Sequence, residues 1–128
     1  MVSRLIPFTA VFLLLLGGCT PSMNPFYEEW DTPFGVLPFE TIALEHYAPA
    51  FDEGMKRHIA EIDAIATSSE APTFENTIEP LDRSGPLLSK VSNVFFALNS
   101  SVTSDEMQAI AKDVAPKLSK HSDEILLN

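Results

Sequence analysis

The sequence predicts an all-α protein: long antiparallel helices behind an extended N-terminal arm rich in proline and aromatics. Three observations carry this. Apolar residues recur at three- and four-residue steps from Leu44 onward, the spacing of one helical face. Capping residues stand where those patterns begin, and no run of alternating apolar and polar residues appears anywhere.

Residues 1–18 read as a secretion signal rather than part of a fold. Arg4 supplies a positive start, Leu5 to Leu16 an apolar stretch, and Leu16-Gly17-Gly18-Cys19 small residues ahead of a cysteine. A bilayer span needs roughly 20 apolar residues, so this stretch is too short to cross one. The Leu-x-Gly-Cys end resembles a bacterial lipobox, which implies cleavage before Cys19, lipidation of its thiol and a cell-envelope location. Thr20 after the cysteine is compatible with the outer membrane. Ordinary cleaved secretion and a retained anchor are the alternatives. Two or more acyl chains hold a protein to a membrane where one does so marginally.

Cys19 is the one cysteine in the chain, which excludes an internal disulfide and a thiolate-rich metal site. Removing the signal leaves 110 residues and, with Arg4 gone, moves the formal charge from −10 to −11. Phosphate backbones are bound by clustered cations, so this balance argues against nucleic-acid binding.

Residues 19–39 form the lipidated tether and arm. Pro21, Pro25, Pro33 and Pro38 forbid a regular helix, while Phe26, Tyr27, Trp30, Phe34 and Phe39 are too apolar for a free linker and should pack on a body. Residues 40–128 form the helical region. Phe51, Met55, Ile59, Ile62 and Ala66 trace its first helix, with Glu53, Lys56, Arg57, His58 and Glu61 turned to water. Gly54 inside it costs about 1 kcal/mol relative to alanine. Thr73 with Asn76 caps a second helix whose apolar side runs through Ile78, Leu81, Leu88, Val91, Val94, Phe95 and Leu98. Pro80 and Pro86 predict two pieces with a kink near Ser84 to Pro86. Asn99 to Thr103 reads as a turn, and Thr103 with Glu106 as the next cap. Met107, Ile110, Ala111, Val114, Leu118, His121 and Ile125 mark a long third face, bent at Pro116. Phe95, Phe96, Leu98, Ile125, Leu126 and Leu127 exceed what so small a body can bury. With helical sequence running to Asn128, this predicts a fragment made for further helices.

The sequence offers no catalytic or metal-ligating set. There is no H-E-x-x-H, phosphate loop, G-x-S-x-G or EF-hand spacing. His58 and Glu61 lie one turn apart and could share a metal, but a solvated face with a weak charge pair is the simpler reading. His121 falls on an apolar stripe, as a core or interface histidine would, and His46 stands near a helix start.

The run Ala71-Pro-Thr-Phe-Glu-Asn-Thr-Ile78 resembles the N-terminal signature of the thimet-oligopeptidase/peptidyl-dipeptidase family of zinc peptidases. Ser92-Asn-Val-Phe-Phe-Ala-Leu-Asn99, Ala115-Pro-Lys-Leu118 and His121-Ser-Asp-Glu-Ile125 continue the likeness, and Asn24-Pro-Phe26 with Thr32-Pro-Phe-Gly-Val36 is similar to exported peptidyl-dipeptidases. The resemblance covers roughly residues 24–128. It implies a two-lobed helical enzyme that cleaves short peptides, releasing C-terminal dipeptides, with zinc held by H-E-x-x-H and a later glutamate. All of those residues would lie beyond Asn128, so this chain would bind no zinc and be inactive alone. A non-enzymatic helical lipoprotein module for binding or structure is the competing reading.

Overall fold

A computed structural model describes residues 23–127; the signal, the lipobox and Cys19 lie outside the described residues. Four α-helices follow one another: α1 (Tyr47–Ala66), α2 (Glu79–Asp82), α3 (Pro86–Ser101) and α4 (Asp105–Leu126). Three 3-10 turns precede α1, a π-helical turn (Phe74–Ile78) leads into α2, and no strand occurs among the described residues. The all-α expectation holds.

Helix α1 lies between α3 and α4, which approach each other less closely than either approaches α1. Tyr47 and Phe51 meet Phe95, whereas Gly54 meets Leu88 and His58 meets Gly85, so α1 and α3 run antiparallel. Asp52 pairs with Lys117 and His58 with His121, so α1 and α4 run parallel, as the first and third long helices of an up-down-up path must. The core is Phe26, Tyr47, Ala50, Phe51, Leu87, Val91, Phe95, Met107 and Val114. Its aromatics meet tilted or edge to face, with Phe51 and Phe95 centroids 5.5 Å apart at 86°.

The inward face of α1 differs from the expected stripe. Tyr47, Ala50, Phe51, Gly54 and Ile62 are buried, Met55 and Ile59 half-buried, and Ala66 exposed. The reason is size. Ala50 and Gly54 are small, and a Cβ on Gly54 would stand 3.0 Å from the Leu88 Cα. Packing α3 that closely rotates α1 toward its small residues.

The second expected helix is broken, as its prolines predict. Thr73 accepts from the Asn76 N–H at 3.2 Å and donates its own N–H to Asn76 Oδ1 at 2.7 Å, a reciprocal cap. The π turn departs from expectation. Here the Glu79 N–H reaches back five residues to the Phe74 carbonyl. Widening the backbone just before Pro80 relieves the ring's clash with the preceding turn. Gly85 then takes a left-handed φ of 69° and Pro86 opens α3, where a missing N–H costs nothing.

Two boundaries move. Helix α3 runs on to Ser101, and the α4 cap is Ser104 rather than Thr103, its hydroxyl accepting from the Met107 N–H at 3.2 Å. Thr103 donates instead to Asn99 Oδ1. Helix α4 is continuous through Pro116, and every residue of its expected apolar face is buried or half-buried.

The arm packs on the body through Phe26, Tyr27 and Trp30, while Phe34 and Phe39, which were expected to pack as well, are exposed. Phe26 is fully buried, 5.3 Å from the Tyr47 ring, and Asn24 Nδ2 donates to the His46 carbonyl at 2.7 Å. Lys90 Nζ stands 3.9 Å over the Trp30 ring and donates to the Glu28 carbonyl at 2.7 Å. Desolvation lowers the Lys90 pKa, with Glu29 opposing it. The apolar surplus is exposed as expected at Phe96, Leu126 and Leu127, but not at Phe95, which is fully buried. Phe74, Ile78 and Leu81 are exposed as well.

Candidate functional site

The polar groups that converge do so where α1, α4 and the Arg83–Gly85 turn meet. About three turns into α1, His58 faces His121 of α4, with His58 Nδ1 and His121 Nε2 3.0 Å apart. On the other side of the same ring, His58 Nε2 lies 3.0 Å from Ser84 Oγ, which donates to the Leu81 carbonyl at 2.7 Å. Glu61 accepts from the Gly85 N–H at 2.7 Å. Gly85 is required here, since a Cβ would fall 2.9 Å from the His58 ring.

This arrangement corrects the reading of His58 as solvated. It is half-buried and joins three elements, and it does so through His121, not by sharing a metal with Glu61. His121 is buried as its place on the apolar stripe implied, and burial, with His58 adding to it, lowers its pKa while Glu124 raises it. His46 acts locally, its Nδ1 accepting the Ala43 N–H at 2.9 Å and closing the turn before α1. The pairing of positions 58, 84 and 121 carries no local signal. Only the fold brings them together.

The chemistry of the junction can be read from its donors. Ser84 gives its proton to a backbone carbonyl, so its oxygen accepts from His58 Nε2–H. A neutral His58 then accepts at Nδ1 from His121 Nε2–H. A nucleophilic serine requires the opposite polarity, its proton directed at the imidazole. The chain of bonds thus satisfies the carbonyl at the end of α2 and ties three elements together; it does not activate Ser84. Every buried side-chain polar atom among the described residues has a partner.

Beside His121 lies an open groove of about 260 Å³ lined by Met55, Lys56, Ile59, Lys117, Lys120 and Glu124. Lys117 bridges α4 to α1, 2.9 Å from Asp113 and 3.3 Å from Asp52, and those bonds, Asp113 first, raise its pKa. Among the described residues no three His, Cys, Asp or Glu side chains converge on a metal position. No helix of the described residues is long and apolar enough to cross a membrane.

The described residues form a helical body with a knit polar junction. No protein-family profile matches the chain. Individual relatives do. The chain is 43% identical over 107 residues to dipeptidyl carboxypeptidase of Escherichia coli strain K12, and 40% identical over 107 residues to that of Salmonella typhimurium. It is 28% identical over 91 residues to oligopeptidase A of Escherichia coli. Over this stretch it is homologous to both kinds of peptidase. The match takes in 84% of this chain but spans 16% of the length of either dipeptidyl carboxypeptidase.

Proposed function

We propose that this chain is the N-terminal helical part of an exported zinc metallopeptidase that releases C-terminal dipeptides from short peptides. The observation that carries the reading is 43% identity, sustained over 107 residues, to a dipeptidyl carboxypeptidase. In this reading the helices wall one lobe of a peptide-digesting channel, and the zinc set belongs to polypeptide outside these 128 residues. The exposed Phe74, Ile78 and Leu81 support it: at steps of four and three they form an apolar stripe that further helices would cover.

The residues present do not fit zinc. His58 and His121 direct their facing nitrogens at one another, His46 caps a turn, and Glu61 is held by a backbone N–H. The chain alone is therefore expected to release no dipeptide from blocked short peptides supplied with zinc, while the longer polypeptide does. Dipeptide release by the chain alone, above a boiled control, would refute the assignment.

Export and lipidation rest on residues 1–19. Intact mass of the protein from membranes is expected to show loss of residues 1–18 and acyl chains on Cys19, and Cys19→Ser to leave it unlipidated. A non-enzymatic envelope module is favoured by one feature, a closed core of nine buried residues. Activity of the longer polypeptide separates the two readings.

A further inference from the structure

The junction of His58, His121 and Ser84 has a property that a merely structural knot of bonds lacks: its donors and acceptors tolerate one proton but not two. With both rings neutral the bonds run in one direction, from His121 to His58 to Ser84 to the Leu81 carbonyl. A proton added at His121 Nδ1 leaves that chain whole, because Nε2–H still donates to His58. A second proton, on His58 Nδ1, sets two N–H donors head to head across 3.0 Å. We propose that this histidine pair is a proton-operated clasp, holding α4 and the Ser84 turn onto α1 while no more than one proton is shared and releasing α4 when both rings are charged.

The surroundings give the second charge little relief. On α4, Glu124 is drawn to Lys120 at 3.2 Å, and Lys117 is engaged by Asp113 and Asp52. From α1, Lys56 lines the same groove as His121, and Glu61 accepts from the Gly85 N–H. From the turn, Arg83 pairs with Glu79 at 2.6 Å. Glu124 is the carboxylate that favours a charge on His121, but it is shared with Lys120, and two like charges on touching rings repel. Nor can His58 swing aside, since its ring lies against Gly85 on one side and Ser84 on the other.

The sign follows from the pair itself. Burial lowers the His121 pKa below its ordinary 6.5, so the unfolded chain binds more protons than the folded one in that range. The pair's contribution to stability is therefore complete above about pH 6.5 and declines as pH falls below it, and release of α4 follows once the second proton joins the first. Release differs from general acid unfolding in being local to α4.

The test is hydrogen exchange of the full chain at pH 7.5 and pH 5, corrected for intrinsic rates and compared helix by helix. Exchange in the second half of α4 is expected to rise about tenfold or more at pH 5 relative to α1 and α3. In His121→Gln, whose amide can still donate to His58 but cannot take a charge, that rise is expected to vanish. An equal rise in every helix, the same rise in His121→Gln, or none in the native chain would overturn the proposal. Should His121→Gln fail to fold, nitrogen NMR of the native histidines decides. Two coupled titration steps more than one pH unit apart support the clasp, and independent titration near 6.5 refutes it.

Discussion

Gly54 shows how one absent side chain sets the packing of two helices. In isolation glycine weakens a helix by about 1 kcal/mol relative to alanine, so Gly54→Ala would ordinarily stabilise. Here the added Cβ would meet the Leu88 Cα at 3.0 Å and its N at 3.1 Å, and backbone atoms cannot rotate out of the way. Overpacking of that kind costs about 1–3 kcal/mol and outweighs the helical gain. Gly54→Ala is therefore expected to lower the melting temperature; an unchanged or higher one would show that α3 is not held this closely. The sequence disclosed the glycine and its local cost but not its partner, which lies 34 positions away at Leu88. His58 was obscured for the same reason. Apolar periodicity assigns a polar residue to solvent by default, and only the meeting of α1 with α4 and the Ser84 turn reveals its contacts.

Among the elements, α4 was the most legible and α1 the least. Seven apolar or aromatic positions of α4 keep helical spacing over five turns, and large side chains decide which face goes inward. The buried face of α1 includes Ala50 and Gly54, which carry too little apolar surface to stand out in a pattern. Caps were readable to within a residue: Thr73 is the cap expected, whereas Ser104 takes the place of Thr103, because the two neighbours offer the same hydroxyl. The π turn before Pro80 left no periodic mark. Pro116 remains the evident flaw in α4: it is exposed, lies inside the helix, and deprives the Lys112 carbonyl of an N–H partner. Pro116→Ala is expected to raise stability by about 1–3 kcal/mol in chemical denaturation, restoring that bond at a solvent-facing position. A loss of stability would mean that α4 depends on the ring for its fit against α1.

For the molecule as a whole, shape and chemistry separate. The described residues bury an aromatic core, draw the N-terminal arm onto it through Phe26 and Lys90, and satisfy their buried polar groups. Yet they bring no three metal-ligating side chains together, and Phe74, Ile78 and Leu81 stay exposed. The match spans 16% of a dipeptidyl carboxypeptidase. The likeness to zinc peptidases was legible in short runs such as Ala71 to Ile78. The polar junction was not, since residues 58, 84 and 121 meet only in three dimensions. The most direct test of the peptidase assignment is the DNA that follows codon 128. It is expected to encode H-E-x-x-H and a later glutamate, in this reading frame or in a shifted one. A stop codon directly after Asn128, with no such motif in any frame beyond it, would contradict the assignment of these helices to a peptidase.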